Sequence, residues 1–399
     1  MSDSTTMIRN FALGLLLCSA SFAVAQQPTE RLTLLDGAAV EGALATINAQ
    51  GEITGAGLPK GLLLDGLRRV DRLLVSPAEV AKGELLVDIV GGGQIQLAKL
   101  SVDGEQVCHL QHASLGQFTL PLDAVRSMRF SSAKAPAAFE RALAETSEDD
   151  RIFVKVGEEV QQITGLVEKI DDFNVVFSLD DQQRTIARDK IYGIVVAMIG
   201  RPLDRTGQVH VTLADGSSLW GKLAALEGGK LTLNAGGGSM VAIPWASVQN
   251  FAVRSGRLVF LSDLEPITAR HQPLVTLVRP WQRDRSVGGR PLTLAAKPFT
   301  KGIGVASRSE LAFANEGNFD LFAATIGIDA ETEGRGDCVF VIEAGGKEVF
   351  RQRMTGKDAP KTVSVPIAGR EKITLIVEPG EDLDLADHAN WCDARFVRQ

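Results

Sequence analysis

The chain has little of what recognisable catalysis is built from. Its 399 residues hold five histidines, four cysteines and one tyrosine. His109, His112, His210, His271 and His388 form no HxxxH pair, and none stands beside cysteines with zinc spacing, which argues against a closed zinc site. There is no Gly-x-Ser-x-Gly elbow and no P-loop. The Gly91–Gly93 and Gly236–Gly238 runs are not followed by helical patterns, so they present no helix N-terminus to a phosphate and are turns. A positive face is missing too: 42 Lys and Arg stand against 49 Asp and Glu, a net charge of -7, so no nucleic acid is expected as a partner. A glycosidase needs two carboxylates facing each other across a cleft, and nothing in the sequence singles out such a pair.

What is present is glycine, 40 residues of it, punctuating short alternating apolar runs. The length allows roughly two to four domains. From Arg31 to Leu264 the pattern repeats coarsely. Units open at Arg31–Gly37, Leu85–Gly93, Ile152–Glu158 and Val209–Gly216, each an alternating strand running into an Asp-Gly, Gly-rich or Gly-Glu turn. A second strand follows each turn, and units end on short runs such as Val125–Phe130, Ile191–Val196 and Val248–Val253. Strands this short need closure, so each unit is expected to be a small SH3-like or Sm-like barrel. The alternative is two irregular sandwiches, each built from a pair of units. Units one and two are placed at 30–131 and units three and four at 151–264, separated by a connector over 132–150. Phe139, Ala142 and Leu143 recur at helical steps there, predicting one short helix over Pro136–Thr146.

Near the start, Met7–Asn10 is a charged head, Phe11–Phe22 an apolar core and Ala23-Val24-Ala25 a small-residue cleavage site. This reads as a signal peptide over 1–25, with no later run long enough to span a bilayer. The protein is therefore expected to be secreted or periplasmic. Cys18 follows Leu17, where a lipobox would need Gly or Ala. Cys108 reads as a buried apolar filler.

The last third, about 274–399 after a linker at 265–273, carries the densest set of motifs. They are Gly288-Gly289 with Pro291-Leu292, Lys301–Val305, Gly327-Ile328-Asp329, Gly334-Arg335-Gly336, Asp387–Trp391 and Asp393-Ala394-Arg395, in that order. In this set and order the segment resembles the NPCBM family of carbohydrate-binding modules. One place departs from the family pattern: Ala306 stands where a His usually follows the Gly-Val. The resemblance implies a jelly-roll, galactose-binding-like sandwich, often with a structural Ca²⁺, and makes Asp329 and Asp393 its candidate ligands. Cys338 and Cys392 fall in this one module of an exported chain, so either a disulfide joins them or they are two buried thiols.

Ahead of Trp391, the loop from Glu381 gathers acids, a histidine and an amide, the groups that meet sugar hydroxyls, while an aromatic ring meets sugar C–H bonds. Asp387, His388, Asn390 and Trp391 are thus the expected carbohydrate contacts, with Trp281 as a second platform and Arg308 within reach. The competing reading buries Trp391 in the core and pairs Asp393 with an arginine. The whole reads as an exported, non-catalytic, all-β protein that binds a glycan or envelope polysaccharide through its C-terminal module. Its rival is an assembly protein whose β units pair with other proteins and whose sugar site is degenerate. An open polar loop before Trp391 favours the first; a loop packed on the β units favours the second.

Overall fold

The computed structural model describes residues 29–75, 85–131, 133–157, 159–198, 204–235, 239–274, 278–381 and 383–398. The expected signal peptide lies outside them. The described chain is nearly all β, and its one α-helix, Ala137–Ala144, falls where the periodicity predicts one. No helix among the described residues is long and apolar enough to cross a membrane.

The repeat is visible in the backbone. Each unit opens with a strand, turns into a second strand, and closes with a 3-10 turn before its last strand; the turns are Leu64–Gly66, Leu122–Ala124, Arg188–Lys190 and Trp245–Ser247. The opening turns follow their residues. Asp36 Oδ1 accepts from the Ala38 amide and Asp215 Oδ1 from the Ser217 amide, each closing a turn whose next residue is a glycine at positive φ. The second strand of units one, three and four bends at a register shift, near Leu44, Val167 and Leu223. In unit two the same strand breaks at Ala98, between Gln94–Leu97 and Lys99–Val102. Two of these corners are held by buried carboxylates: Glu30 accepts from the Leu44 amide and Asp150 from the Val167 amide.

No unit closes on itself. Pairing runs from Gln208–Leu213 through Val248–Arg254, Leu67–Arg72, Glu30–Leu34 and Ala39–Ile47, and Ile47 pairs back to Leu226 of Ser218–Glu227. That ring joins unit one to unit four. Units two and three form a second ring in the same way, closed where Ile170 pairs with Val102. The two junctions match: last strands pair antiparallel around Phe251 and Val70 in one ring, and around Met128 and Ile194 in the other. Closure by pairs departs from single barrels, and nesting departs from the sequential pairing expected from chain order. The reason is edge coverage. The last strand of a lone unit would leave its N–H and C=O groups open, and the equivalent strand of a partner unit satisfies them. The helix is accordingly no boundary: Phe139 packs edge-on against Phe153 and Tyr192 of unit three, at 5.1 and 5.2 Å. Residues of all four units share one apolar core. His112 helps join the rings, with Nε2 lying 2.9 Å from Asp215 and 3.2 Å from Ser217.

The C-terminal part is a two-sheet sandwich. One sheet runs Gln282–Arg283, Gly302–Ala306, His388–Val397, Leu321–Ile328, Lys361–Pro366, and Leu258–Phe260 also pairs with His388–Val397. The other runs Thr268–His271, Ser309–Ala314, Lys372–Pro379, Asp337–Ala344, Lys347–Thr355. Their inner faces bury Phe322, Ile326, Phe340, Ile342, Trp391 and Phe396, each contributing ~1.5–3 kcal/mol or more. Two strands, Leu258–Phe260 and Thr268–His271, come from sequence assigned above to unit four and to the linker. The sandwich therefore starts before residue 274.

The sandwich is bonded to unit one. Arg68 forms a two-point ion pair with Asp393, at 2.7 and 3.0 Å. Buried Arg395 donates to the carbonyls of Leu35, Asp36 and Asp393, and Leu35 packs with Leu321 and Val397. Burial, with Arg68 alongside, pushes the Arg395 guanidinium down to about 10, still charged at neutral pH.

Candidate functional site

The motifs of the last third meet in space, and most of them are structural. Gly304 must be glycine because a Cβ there would overlap the Arg285 carbonyl, which crosses against the Gly302–Ala306 strand. Gly336, at φ +94°, meets the Ala386 carbonyl in the same way. Asp329 caps the 3-10 turn Ala330–Thr332: its Oδ1 accepts from the Glu331 amide at 2.9 Å. Its Oδ2 accepts from the Thr293 amide at 3.0 Å and from Asn390 Nδ2 at 2.5 Å. Asp387 Oδ1 accepts from the Asp337 amide at 2.9 Å. Five separated stretches are thereby tied under one surface.

That surface is a shallow groove of about 240 Å³, lined in part by His271, Arg279, Ala306, Ser307, Asp384 and His388. The loop beside it is open: Leu383 is 57% and Leu385 65% exposed. At its floor runs a chain of polar contacts. Arg279 donates to His388 Nε2, and His388 Nδ1 lies 2.7 Å from Glu331 Oε1. A guanidinium has no acceptor, so His388 Nε2 accepts and Nδ1 carries the proton toward Glu331. Burial raises the Glu331 carboxyl, but the bonds from His388, Ser286 and the Gly288 amide outweigh it and hold it below its ordinary value. Arg279 is thus held in place by one of its five N–H groups, leaving others to face a ligand. Ser307 Oγ, fully buried against the groove, has no hydrogen-bond partner among the described residues. The wall therefore offers donors from Arg279, acceptors from Asp384 and a hydroxyl, the mixture that sugar hydroxyls require.

Of the expected contact residues, His388 and Asp387 line this groove. Asn390 lies beneath it, fully buried, as the link to Asp329. Trp391 is not a platform. It is 0% exposed and packs edge-on against Phe340 at 5.0 Å. Trp281 is half-buried, with the Arg283 guanidinium 4.7 Å over its ring. Arg308 faces a different groove, with Arg270, Glu310 and Glu378. Of the expected calcium ligands, Asp329 caps its turn and Asp393 pairs with Arg68. No group of three or more His, Cys, Asp or Glu among the described residues is placed to hold a metal ion.

The disulfide is corrected as well. Cys392 carries a thiol, raised by burial, packed with Leu292, Leu294 and Phe299 on one face of its strand. Cys338 lies in the inter-sheet core, the cluster reached by the opposite face of that strand through Trp391. Alternation along a strand points the two sulfurs apart. Sequence reasoning missed Arg279, His271 and Glu331. His271 was assigned to the linker, and no local pattern marks the other two.

Residues 257–397 match the NPCBM/NEW2 domain, from the strand Leu258–Phe260 to the end of His388–Val397. The C-terminal third of the chain belongs to the NPCBM/NEW2 domain family. A protein of Renibacterium salmoninarum named "Putative endo-alpha-N-acetylgalactosaminidase" is 26% identical over 125 residues, which are 30% of this chain and 8% of that one. The chain thus matches less than a tenth of that curated relative's length. Among solved structures, the CBM51 module of Clostridium perfringens GH95, in complex with methyl-galactose, is 31% identical. The match covers 35% of this chain and 99% of that one, with a TM-score of 0.33. Tandem CBM51 modules of a Streptococcus pneumoniae family 98 glycoside hydrolase are 15% identical, covering 79% and 88%, with a TM-score of 0.32.

Proposed function

We propose that this protein binds carbohydrate through its NPCBM/NEW2 domain, at the groove beside the loop 383–388, as an exported, non-catalytic chain. The observation that carries the reading is the Arg279–His388–Glu331 chain at the floor of an open groove, with the unpartnered Ser307 hydroxyl beside it. Bound sugar hydroxyls would accept from Arg279 and donate to Asp384. The open loop, with Leu383 and Leu385 exposed, favours a binder over a scaffold. Galactose-type sugars are the first candidates, as the family implies. Ala306, part of the groove wall, leaves room where relatives carry a larger ring, so a substituent on the sugar has space there.

The test is calorimetric titration of the full chain with galactose, N-acetylgalactosamine and their short oligosaccharides. Arg279→Ala and His388→Ala should each weaken binding about tenfold or more, as loss of charge-assisted hydrogen bonds does. Arg279→Ala should melt near wild type, and His388→Ala, which strips buried Glu331 of a partner, should melt lower but remain folded. A folded protein that binds none of these sugars, or variants that bind as well as wild type, would remove the reading.

A further inference from the structure

A second groove, of about 600 Å³, lies where unit one, unit four, the turn at Gly91 and the sandwich meet. In a chain of net charge -7 its walls carry five cations: Arg68, Arg69, Arg205, Arg254 and Lys301. Three of them are compensated. Arg68 pairs with Asp393, Arg69 with Asp71, and Lys301 with Asp263 and Asp284. Arg205 and Arg254 have no carboxylate partner among the described residues. Arg205 donates to the Gln208 side chain and the Val90 carbonyl. Both guanidiniums lie over the Trp220 ring, at 5.3 and 6.0 Å. Asp204 is the one carboxylate among the lining residues, and it is turned to its own loop, accepting from the Thr206 amide.

Under the two guanidiniums sit two polar atoms without partners. Trp220 is 9% exposed, and its Nε1–H, buried at the groove, has no acceptor. His210, stacked on that indole at 4.6 Å, has an unpartnered Nε2. Burial, then Arg205, Arg254 and Arg69, lower the His210 pKa and keep the ring neutral. A buried donor left unmade is costly, and indole and guanidinium can only donate. The group that satisfies this wall must be an acceptor carrying negative charge.

We infer that this groove binds the oxyanion group, carboxylate or sulfate ester, of an acidic oligosaccharide, held by Arg205, Arg254 and the Trp220 indole N–H. The saccharide part rests on the proposed function; the oxyanion part stands on the groove alone. Its volume suits a ligand of a few sugar rings, and Lys301, from one of the domain's own motifs, lines it. The groove would thus add selection for acidic glycans to the domain's groove for neutral sugar.

The experiment titrates the full chain with four probes. They are an oligogalacturonate, a sulfated galacto-oligosaccharide, an uncharged galacto-oligosaccharide of equal length, and inorganic sulfate. At least one acidic oligosaccharide should bind, more weakly as salt rises. Arg254→Gln and Arg205→Gln should each reduce that affinity about tenfold. Arg254 is exposed, so its replacement leaves the fold intact, and Trp220→Phe removes the indole N–H while keeping the ring. Arg254→Gln should leave uncharged binding unchanged while His388→Ala weakens it, which separates this inference from the previous one. Equal affinity for charged and uncharged probes, or acidic binding insensitive to Arg254→Gln, overturns it. Sulfate binding as tight as the oligosaccharides overturns the saccharide assignment.

Discussion

Replacing Asp393 by Asn tests both the docking of the sandwich and the expected calcium site. Asp393 and Arg68 have side chains 20% and 23% exposed and meet through two bonds of 2.7 and 3.0 Å. At an effective dielectric near 20, opposite charges ~4 Å apart attract by ~4 kcal/mol. Desolvation offsets part of this in the intact pair. Removing one partner of a well-buried pair costs ~3–5 kcal/mol, and residual exposure reduces that here to ~2–3 kcal/mol. The variant also leaves Arg68 and Arg395 facing each other without the carboxylate between them. For a domain of this size, urea unfolding has a slope of ~1–3 kcal/mol/M, so the midpoint of the sandwich transition should fall by about 1 M. Arg68→Met should lose a similar amount, and the double variant much less than the sum, a coupling of ~1–3 kcal/mol. Additive effects, or a shift under ~0.5 kcal/mol, would refute the ion-pair reasoning. Adding Ca²⁺ or chelator should not move the wild-type midpoint. A Ca²⁺-dependent rise that disappears in Asp393→Asn would restore the calcium ligand instead.

Two further outcomes follow from burial. Trp391→Ala should cost ~3–5 kcal/mol and abolish sugar binding by unfolding the sandwich, whereas Trp391→Phe should fold and still bind; a folded Trp391→Phe without sugar binding would put the ring in contact with ligand. His112 is buried with Nδ1 accepting from the Ser114 and Leu115 amides, and burial lowers its pKa despite Asp215; the unfolded chain therefore takes up the proton first, and stability present above about pH 6.5 should fall as pH drops toward 5. His112→Gln should flatten that loss, and an unchanged pH profile would exclude His112 as its source.

The legible and illegible parts of this fold divide by range. Asp36-Gly37 and Asp215-Gly216 announce their turns because Asx bonding and positive φ are local. The helix is legible for the same reason, since Phe139 and Ala142 share one face within a single turn. Which unit joins which was not legible. Met128 against Ile194 and Phe251 against Val70 are contacts between distant strands of nearly identical pattern, and chain order favoured the wrong partner. Trp391 and Cys392 are both apolar-compatible neighbours, so alternation says that they face opposite ways without saying which way is inward. The groove fared likewise: His388 and Asp387 stood in a recognisable motif, while Arg279 arrives from a segment without periodicity, and its role exists only in three dimensions.

The nested pairing explains how the C-terminal domain comes to be bonded to the first β unit. Because unit four folds back onto unit one, the chain leaves the β units beside the place where it entered them. The sandwich then docks on Leu35, Asp36 and Arg68 of unit one, and Arg257 reaches Asp65. Its docking residues Asp393 and Arg395 lie on the same strand as His388 of the proposed sugar groove, His388–Val397. At ~3.3 Å per residue, His388 and Arg395 are about 23 Å apart along it. The strand therefore presents its first residues to the proposed groove while its last residues are bonded to the scaffold, and neither end needs the other's surface. It follows that a fragment cut at residue 273 is the wrong object for a binding assay. It would lose Leu258–Phe260, the partner of that strand's docked end, and Thr268–His271, which carries His271 into the groove. A fragment that starts ahead of Leu258 should keep the affinity of the full chain, and one that starts at residue 273 should lose it.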